Sequence, residues 1–259
     1  MLRSRVAIPV VALYQAWQVA GLPQLHRALV TQVDFDSEAL EEGDLSGLER
    51  LQRTAWAQLE QSGLARGNEI HPDLVNALRL VAEAGVEYWA FFGQKDGPQQ
   101  AVLVVSNGQE ALRIVLTPDQ LFVLEPVRAE EAPQALVAAL PPTPAGKGAP
   151  ITLPEDALQQ KRQPSYEDTG SFLQQSRPTS TPNDQLVTQL KTIMSEPRTG
   201  GGQLFSAKRD HLGRKQRCVA PLTYLDTHSG RYVATKSEGW LRVQPADFGT
   251  LARLTATMP

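Results

Sequence analysis

Along residues 86 to 141 the apolar positions fall into four runs, VEYWAFF, AVLVV, ALRIVL and LFVLEP, separated by short polar turns. The runs are rich in Val, Leu, Phe, Tyr and Trp, side chains that pack well on a pleated, half-buried surface. Asn107-Gly108 between two of them predicts a tight hairpin, because that turn needs positive φ at its central residues. Pro118-Asp119 makes the next turn. After Pro126 the spacing lengthens from two to near 3.6, which puts Val127, Ala132, Leu136, Val137 and Leu140 on one face of a closing helix. The pattern predicts a meander of strands with a helix laid on it.

The same plan returns near the C-terminus, where QLFSAKR, RKQRCVAPLTYL, RYVAT and WLRVQP are split by turns at DHLG, DTHSG and KSEG. A helix with Phe248, Leu251, Ala252 and Leu254 inward is expected after Pro245. The two closing segments, LEPVRAEEAPQALVAALP and VQPADFGTLARLTATMP, share a strand, a Pro, an acidic first turn, an apolar helix and a terminal Pro. That correspondence reads as an internal duplication. The expected fold class is therefore α+β: two lobes related by a pseudo-twofold, each a mostly antiparallel sheet with packed helices. The lobes are placed at 1–150 and 151–259, associated as one compact unit.

The remaining stretches fill in the two lobes. Residues 5 to 20 read as a short strand and a helix presenting Val10, Leu13, Tyr14 and Trp17 to a core, and an irregular or strand-like connection follows. A helix at about 45 to 62 carries the capping-box spacing Ser46-Gly47-Leu48-Glu49 and an apolar stripe through Leu48, Leu51, Ala55 and Leu59, and Gly63 ends it. His71-Pro72-Asp73 opens the next helix, with Leu74, Leu78 and Val81 in line and Gly85 as the stop. Between the lobes PPTPAGKGAP is too rich in Pro and Gly for a regular element, ITLP reads as a strand and PEDALQQKR as a helix. The polar stretch 163–183 predicts a long loop, and 184–195 an amphipathic helix with Leu186, Leu190, Ile193 and Met194 on its apolar side.

A formal net charge of -3 over 259 residues leaves no global basic field for nucleic acid or an anionic membrane. The single cysteine, Cys218, cannot form an internal disulfide, and its place in a predicted strand reads as a small buried hydrophobe. The N-terminal apolar stretch is interrupted by Gln15 and Gln18 and shows no clear cleavage pattern, and no run is long enough to span a bilayer. A cytoplasmic protein without membrane insertion is expected.

No sequence motif calls for a metal, a phosphate or a cofactor. HExxH, paired CxxC, P-loop and GxGxxG patterns are missing, the four histidines are scattered, and Gly200 to Gly202 read as a flexible entry to a strand. Asp226-Thr227-His228-Ser229 holds the three side-chain types of a hydrolase triad, but a triad needs parts from separate elements beside an oxyanion hole. Four consecutive residues in a hairpin do not meet that need, so a polar turn is expected and the chain is read as a non-enzyme. The basic run KRDHLGRKQR at 208–217 carries five Lys or Arg around a predicted turn. Without a wider basic face or stacking aromatics it reads as a solvated hairpin protecting strand edges, with a nucleic-acid or other protein-binding module as the alternative.

The order and spacing of several segments nevertheless resemble a known family. The C-terminal half carries Gly202-Gln203, Arg209-Asp210 with Gly213-Arg214, Asp226-Thr227 followed by Gly230-Arg231-Tyr232, and Pro245-Ala246-Asp247. The N-terminal half adds ERLQRTAWAQLEQSGLARGNEIHPDLVNAL, LEPVRAEEAPQALVAALPPTPAGKG and the following ITLP. With these the chain resembles, over nearly its whole length, the EspG family of ESX, or type VII, secretion-associated chaperones of actinobacteria. The resemblance implies a cytosolic chaperone that binds the apolar tip of a PPE protein within a PE-PPE heterodimer, keeps the dimer soluble and hands it to the secretion machinery. It also implies that the tip is held by the central sheet and a C-terminal helical segment. The expected partner-binding residues are Arg217, Tyr224, Tyr232, Val233 and Trp240 on the C-terminal strands, with Leu186, Leu190 and Met194 on the preceding helix. Arg231 is expected to pair with Asp226 across their turn; monomer and homodimer both stay open.

Overall fold

The computed structural model describes residues 1–30, 45–158 and 182–258. Its strands are β1 (Val6–Pro9), β2 (Ala65–Arg66), β3 (Glu69–Ile70), β4 (Val86–Gln94), β5 (Gln100–Ser106), β6 (Ala111–Leu116), β7 (Leu121–Val127), β8 (Ile151–Pro154), β9 (Arg198–Arg209), β10 (Lys215–Arg217), β11 (Leu222–Thr227), β12 (Gly230–Ser237) and β13 (Trp240–Pro245). Its helices are α1 (Val10–Val19), α2 (Leu45–Gln61), α3 (Pro72–Glu83), α4 (Ala132–Val137), α5 (Pro182–Ser195) and α6 (Phe248–Ala256), with short 3-10 turns at Arg27–Leu29, Ala129–Glu131 and Glu155–Leu158.

Apart from the small β2–β3 hairpin, the strands join one antiparallel sheet in the order β1-β7-β6-β5-β4-β9-β11-β12-β13-β8, with β10 paired to the far end of β9. The order is the same from either end: β4 to β7 closed by β1 mirror β9 and β11 to β13 closed by β8. The two meanders meet at β4 and β9, which pair in register from Val86 opposite Lys208 to Gln94 opposite Gly200. An approximate half-turn about this central pair relates the halves, so the duplicated pattern builds a single continuous sheet.

The two-residue alternation of each strand assigns its side chains to faces. Ala90 and Phe92 of β4, Leu204 of β9, Tyr224 of β11 and Val233 of β12 belong to one core with α4 and α6, which pack on each other. Trp89, Leu103, Ile114 and Phe122 face the opposite way, into a core with α1, α2 and α3. On that same face, but at the far end of the sheet, Ile151, Leu153, Tyr232 and Val243 meet Leu190 of α5. Trp89 stacks on Phe205 across the β4–β9 seam, ring centroids 5.4 Å apart, a contact of about 0.5–1.5 kcal/mol beyond the buried area.

Several expected boundaries move. β7 runs through Pro126 to Val127, and α4 is a single short helix from Ala132. Pro126 is tolerated in the strand because it lies beyond the last β1 position, Val6 opposite Leu124, where only β6 remains as a neighbour. Phe248, expected inward, is 51% exposed at the first turn of α6, while Leu251 and Ala252 are buried. The run 214–225 divides into β10 and β11, and Cys218 sits half-buried in the link, its sulfur accepting from the Ser206 amide at 3.4 Å. Helix α2 begins at Leu45, so Ser46 falls inside its first turn. The β2–β3 hairpin, turning at Gly67 with φ +60°, joins α2 to α3 where only a break was expected. The predicted loop at 163–183 lies outside the described residues apart from the start of α5.

Candidate functional site

Among the described residues, helices α1 to α3 cover one end of the sheet face and α5 covers the other, and the strip between them is uncovered. A cavity of about 510 Å³ lies in that strip, with a predominantly apolar lining that includes Gly93, Gly201, Leu225, Tyr232, Ile193 and Met194. Its floor follows from the register. Gly93 pairs with Gly201 across the β4–β9 seam, and both stand on the face of Trp89, Phe91 and Phe205, so the aromatic part of the strip gives way to a patch without side chains. Gly202, pointing the other way, cannot carry a Cβ, which would lie 2.7 Å from the Phe91 carbonyl. The triplet at 200–202 is thus the interior of β9 and not its flexible entry; glycine in a strand marks a close backbone approach or a place kept open.

At the aromatic end Arg27 lies over Phe205, Phe91 and Trp89 at 4.9, 5.4 and 5.5 Å from their centroids, a cation–π arrangement. Behind it His26 and Lys215 converge on the buried Glu87, with His26 Nε2 at 3.3 Å from Glu87 Oε2. His26 Nδ1 accepts from the Ala28 amide, so the ring proton is on Nε2 and points at the carboxylate. Burial lowers the His26 pKa from 6.5, outweighing the opposite pull of Glu87. Burial alone would raise Glu87, but the donors on His26 and Lys215 and the charge of Lys215 hold it below 4.5.

Lys95 and Arg198 line the other end of the groove. Neither forms an ion pair with a described residue, whereas Arg231 on β12 is paired with Asp226. Glu196, close by in sequence, is engaged elsewhere: it accepts from Ser229 Oγ at 3.0 Å, and bonds from Thr227 and Ser229 hold its carboxyl below the usual range.

The eight residues expected to bind a partner are spread over several places. Met194, 48% exposed, and Tyr232 line the groove. Leu190 is buried and Leu186 half-buried in the contact that seats α5 on the sheet. Tyr224 and Val233 border the cavity from beneath, since their side chains belong to the core on the α4–α6 side, and burial raises the Tyr224 pKa. Arg217 on β10 and Trp240, 51% exposed at the β12–β13 turn, do not line the groove. Gly93, Gly201, Lys95 and Arg198 were missed. The one signal that could have raised them was the glycine triplet inside a run that otherwise reads as strand.

The other candidates have local uses. Arg231 donates to both Asp226 carboxylate oxygens, at 2.6 and 2.8 Å, and to the Pro141 carbonyl, so it pins the Pro-rich segment to β12 as well as closing the expected pair. With Asp226 held by Arg231 and Ser229 by Glu196, the DTHS turn brings no triad together. In the basic run Arg209 donates to the carbonyls of Ala82, Ala84 and Gly213, Arg214 pairs with Asp210 and Lys215 with Glu87. Of its five cations only Lys208 and Arg217 have side chains without a hydrogen-bond or ion-pair partner among the described residues, Arg209 being held by backbone carbonyls alone. Among the described residues there is no group of acidic, His and Cys side chains able to hold a metal ion, and no helix is long and apolar enough to cross a membrane.

These features define a class: a pseudo-symmetric α+β protein built on one antiparallel sheet, with an open groove on one sheet face between two sets of helices. The model of the EspG family matches residues 9–255, and the chain belongs to that family. The search of curated proteins gives no match. Among solved structures the fold is similar to the Mycobacterium tuberculosis type VII secretion system chaperone EspG5 in complex with a PE25-PPE41 dimer. That likeness has a TM-score of 0.64 at 11% identity and covers 98% of this chain and 95% of the other.

Proposed function

We propose that this chain is a cytoplasmic type VII secretion chaperone that takes the apolar tip of a PPE-like subunit within a PE-PPE heterodimer into the groove between α1–α3 and α5. It keeps the dimer soluble, releases it to the ESX machinery and catalyses no reaction. The reading is supported by membership in the EspG family and by the PE25-PPE41 dimer bound to its structural relative. The observation that carries it is the groove: an apolar strip of sheet that no described residue covers, with Gly93 and Gly201 leaving part of its floor bare of side chains. Exposed apolar surface on a helical substrate is an aggregation hazard, and a groove of this kind covers it. An interface with polar edges releases more readily than one that is apolar throughout.

Within this reading Met194 and Tyr232 touch the tip, Leu186 and Leu190 hold α5 at the right height, and Tyr224 and Val233 support the floor from beneath. Arg217 and Trp240 make contact only where the partner extends past the groove. Co-expression with the PE-PPE-type helical proteins encoded in the same genome, followed by size exclusion, tests the proposal. A heterodimer that is soluble and co-eluting only in the presence of this chain is the expected result. Heterodimers that are equally soluble without it and elute separately overturn the proposal. The elution volume of the free chain distinguishes monomer from homodimer.

A further inference from the structure

We infer that the apolar tip this groove accepts carries a carboxylate beside its apolar side chains, seated between Lys95 and Arg198. The inference rests on the chaperone reading and adds a chemical requirement on the partner. Lys95 follows β4 and Arg198 opens β9, so the β4–β9 pairing brings both to the glycine end of the groove, and both line it. Neither has a described acidic partner, in a chain whose net charge is -3. Among the described residues the groove lining contains no Asp or Glu, and Glu196 is held by Ser229. The result is a local positive rim around an apolar floor that is bare of side chains at Gly93 and Gly201.

Such a rim discriminates between tips more than it adds affinity. A planar guanidinium reads a carboxylate through two parallel hydrogen bonds, and an ammonium beside it adds a point charge. At the solvent-facing edge of an interface, charges of this kind steer encounter and disfavour a tip with a Lys or Arg in the same place. The apolar residue next to the carboxylate then lies flat over Gly93 and Gly201, where a Cβ would occupy its space.

The test uses the full chain and the PE-PPE-type heterodimers of the same genome, with dissociation constants measured from low to high salt. A Lys95→Glu, Arg198→Glu double variant is expected to weaken binding by about tenfold or more at low salt and to reverse the salt dependence, since added salt then screens a repulsion. Arg253→Glu, a charge reversal on α6 on the opposite face, is the control and is expected to bind as wild type. Gly93→Leu is expected to abolish binding while the protein stays folded, because a Cβ there meets nothing closer than the Pro98 carbonyl at 3.5 Å. Replacing the tip carboxylate of the partner by Lys is expected to restore binding to the double variant. Wild type that binds with no salt dependence, together with a double variant of equal affinity, overturns this inference and leaves the chaperone reading standing. Wild type that captures no heterodimer overturns that reading, and the inference with it.

Discussion

Asp226 and Arg231, with side chains 6% and 4% exposed, show how much one pair can hold. Removing one partner strands a buried charge, so Arg231→Ala is expected to destabilise the protein by about 3–5 kcal/mol in urea unfolding. The double Asp226→Ala, Arg231→Ala variant should recover part of that loss. Tyr232 is a subtler case. Its hydroxyl accepts from the Lys147 amide at 3.0 Å and donates to the Lys147 carbonyl at 3.1 Å. Tyr232→Phe should cost on the order of 1–2 kcal/mol through the lost bonds and leave the ring in place on the groove. His26 sets a pH dependence. Its folded-state pKa is lowered from 6.5, so as pH falls through about 6.5 the unfolded chain takes up a proton that the folded chain refuses, and stability declines. Glu87, lowered below 4.5, adds a second loss at more acid pH, where the unfolded carboxylate protonates first. Thermal melts should show Tm falling between about pH 6.5 and 5 in wild type and holding level there in His26→Asn, which keeps the cap on the Ala28 amide.

At the scale of elements, α6 is a nine-residue helix whose start is fixed by Asp247, the side chain of which accepts from the Thr250 amide at 2.7 Å. Asp247→Ala should cost about 1 kcal/mol, read as a lower urea midpoint at unchanged slope. Strands and turns were the legible part of the sequence. The Val-, Leu- and aromatic-rich runs became β4 to β7, and Asn107-Gly108 lies in a hairpin loop at 107–110, where Gly108 takes φ +91° but Asn107 does not share the expected positive φ. What misled were residues whose propensity was overruled by their neighbours. Pro126 continues a strand because β1 no longer needs its amide, and Gly200 to Gly202 extend β9 because β4 and β11 flank it on both sides.

At the scale of the molecule, the sheet makes the two halves depend on each other. A fragment ending at residue 150 would expose the edge of β4, nine residues long and buried at Glu87, Trp89, Ala90 and Phe92, and such an edge pairs with whatever it meets. Separately expressed 1–150 and 151–259 are therefore expected to aggregate or stay unfolded alone by circular dichroism and size exclusion, and to recover structure when refolded together.

The sequence by itself determined the α+β class, the duplicated strand-to-helix plan, the Asp226–Arg231 pair and, through ordered segments spread over nearly the whole chain, the family. Each of these rests on local spacing or on a contact across one turn. Only the tertiary structure decided that the two meanders fuse through β4 and β9, which face of each strand each helix covers, and therefore where the open groove lies. Gly93 and Gly201 are more than a hundred residues apart and Lys95 and Arg198 nearly as far, and no period along the chain relates them. Long-range antiparallel register alone brings them together, and with them the groove's bare floor and its positive rim.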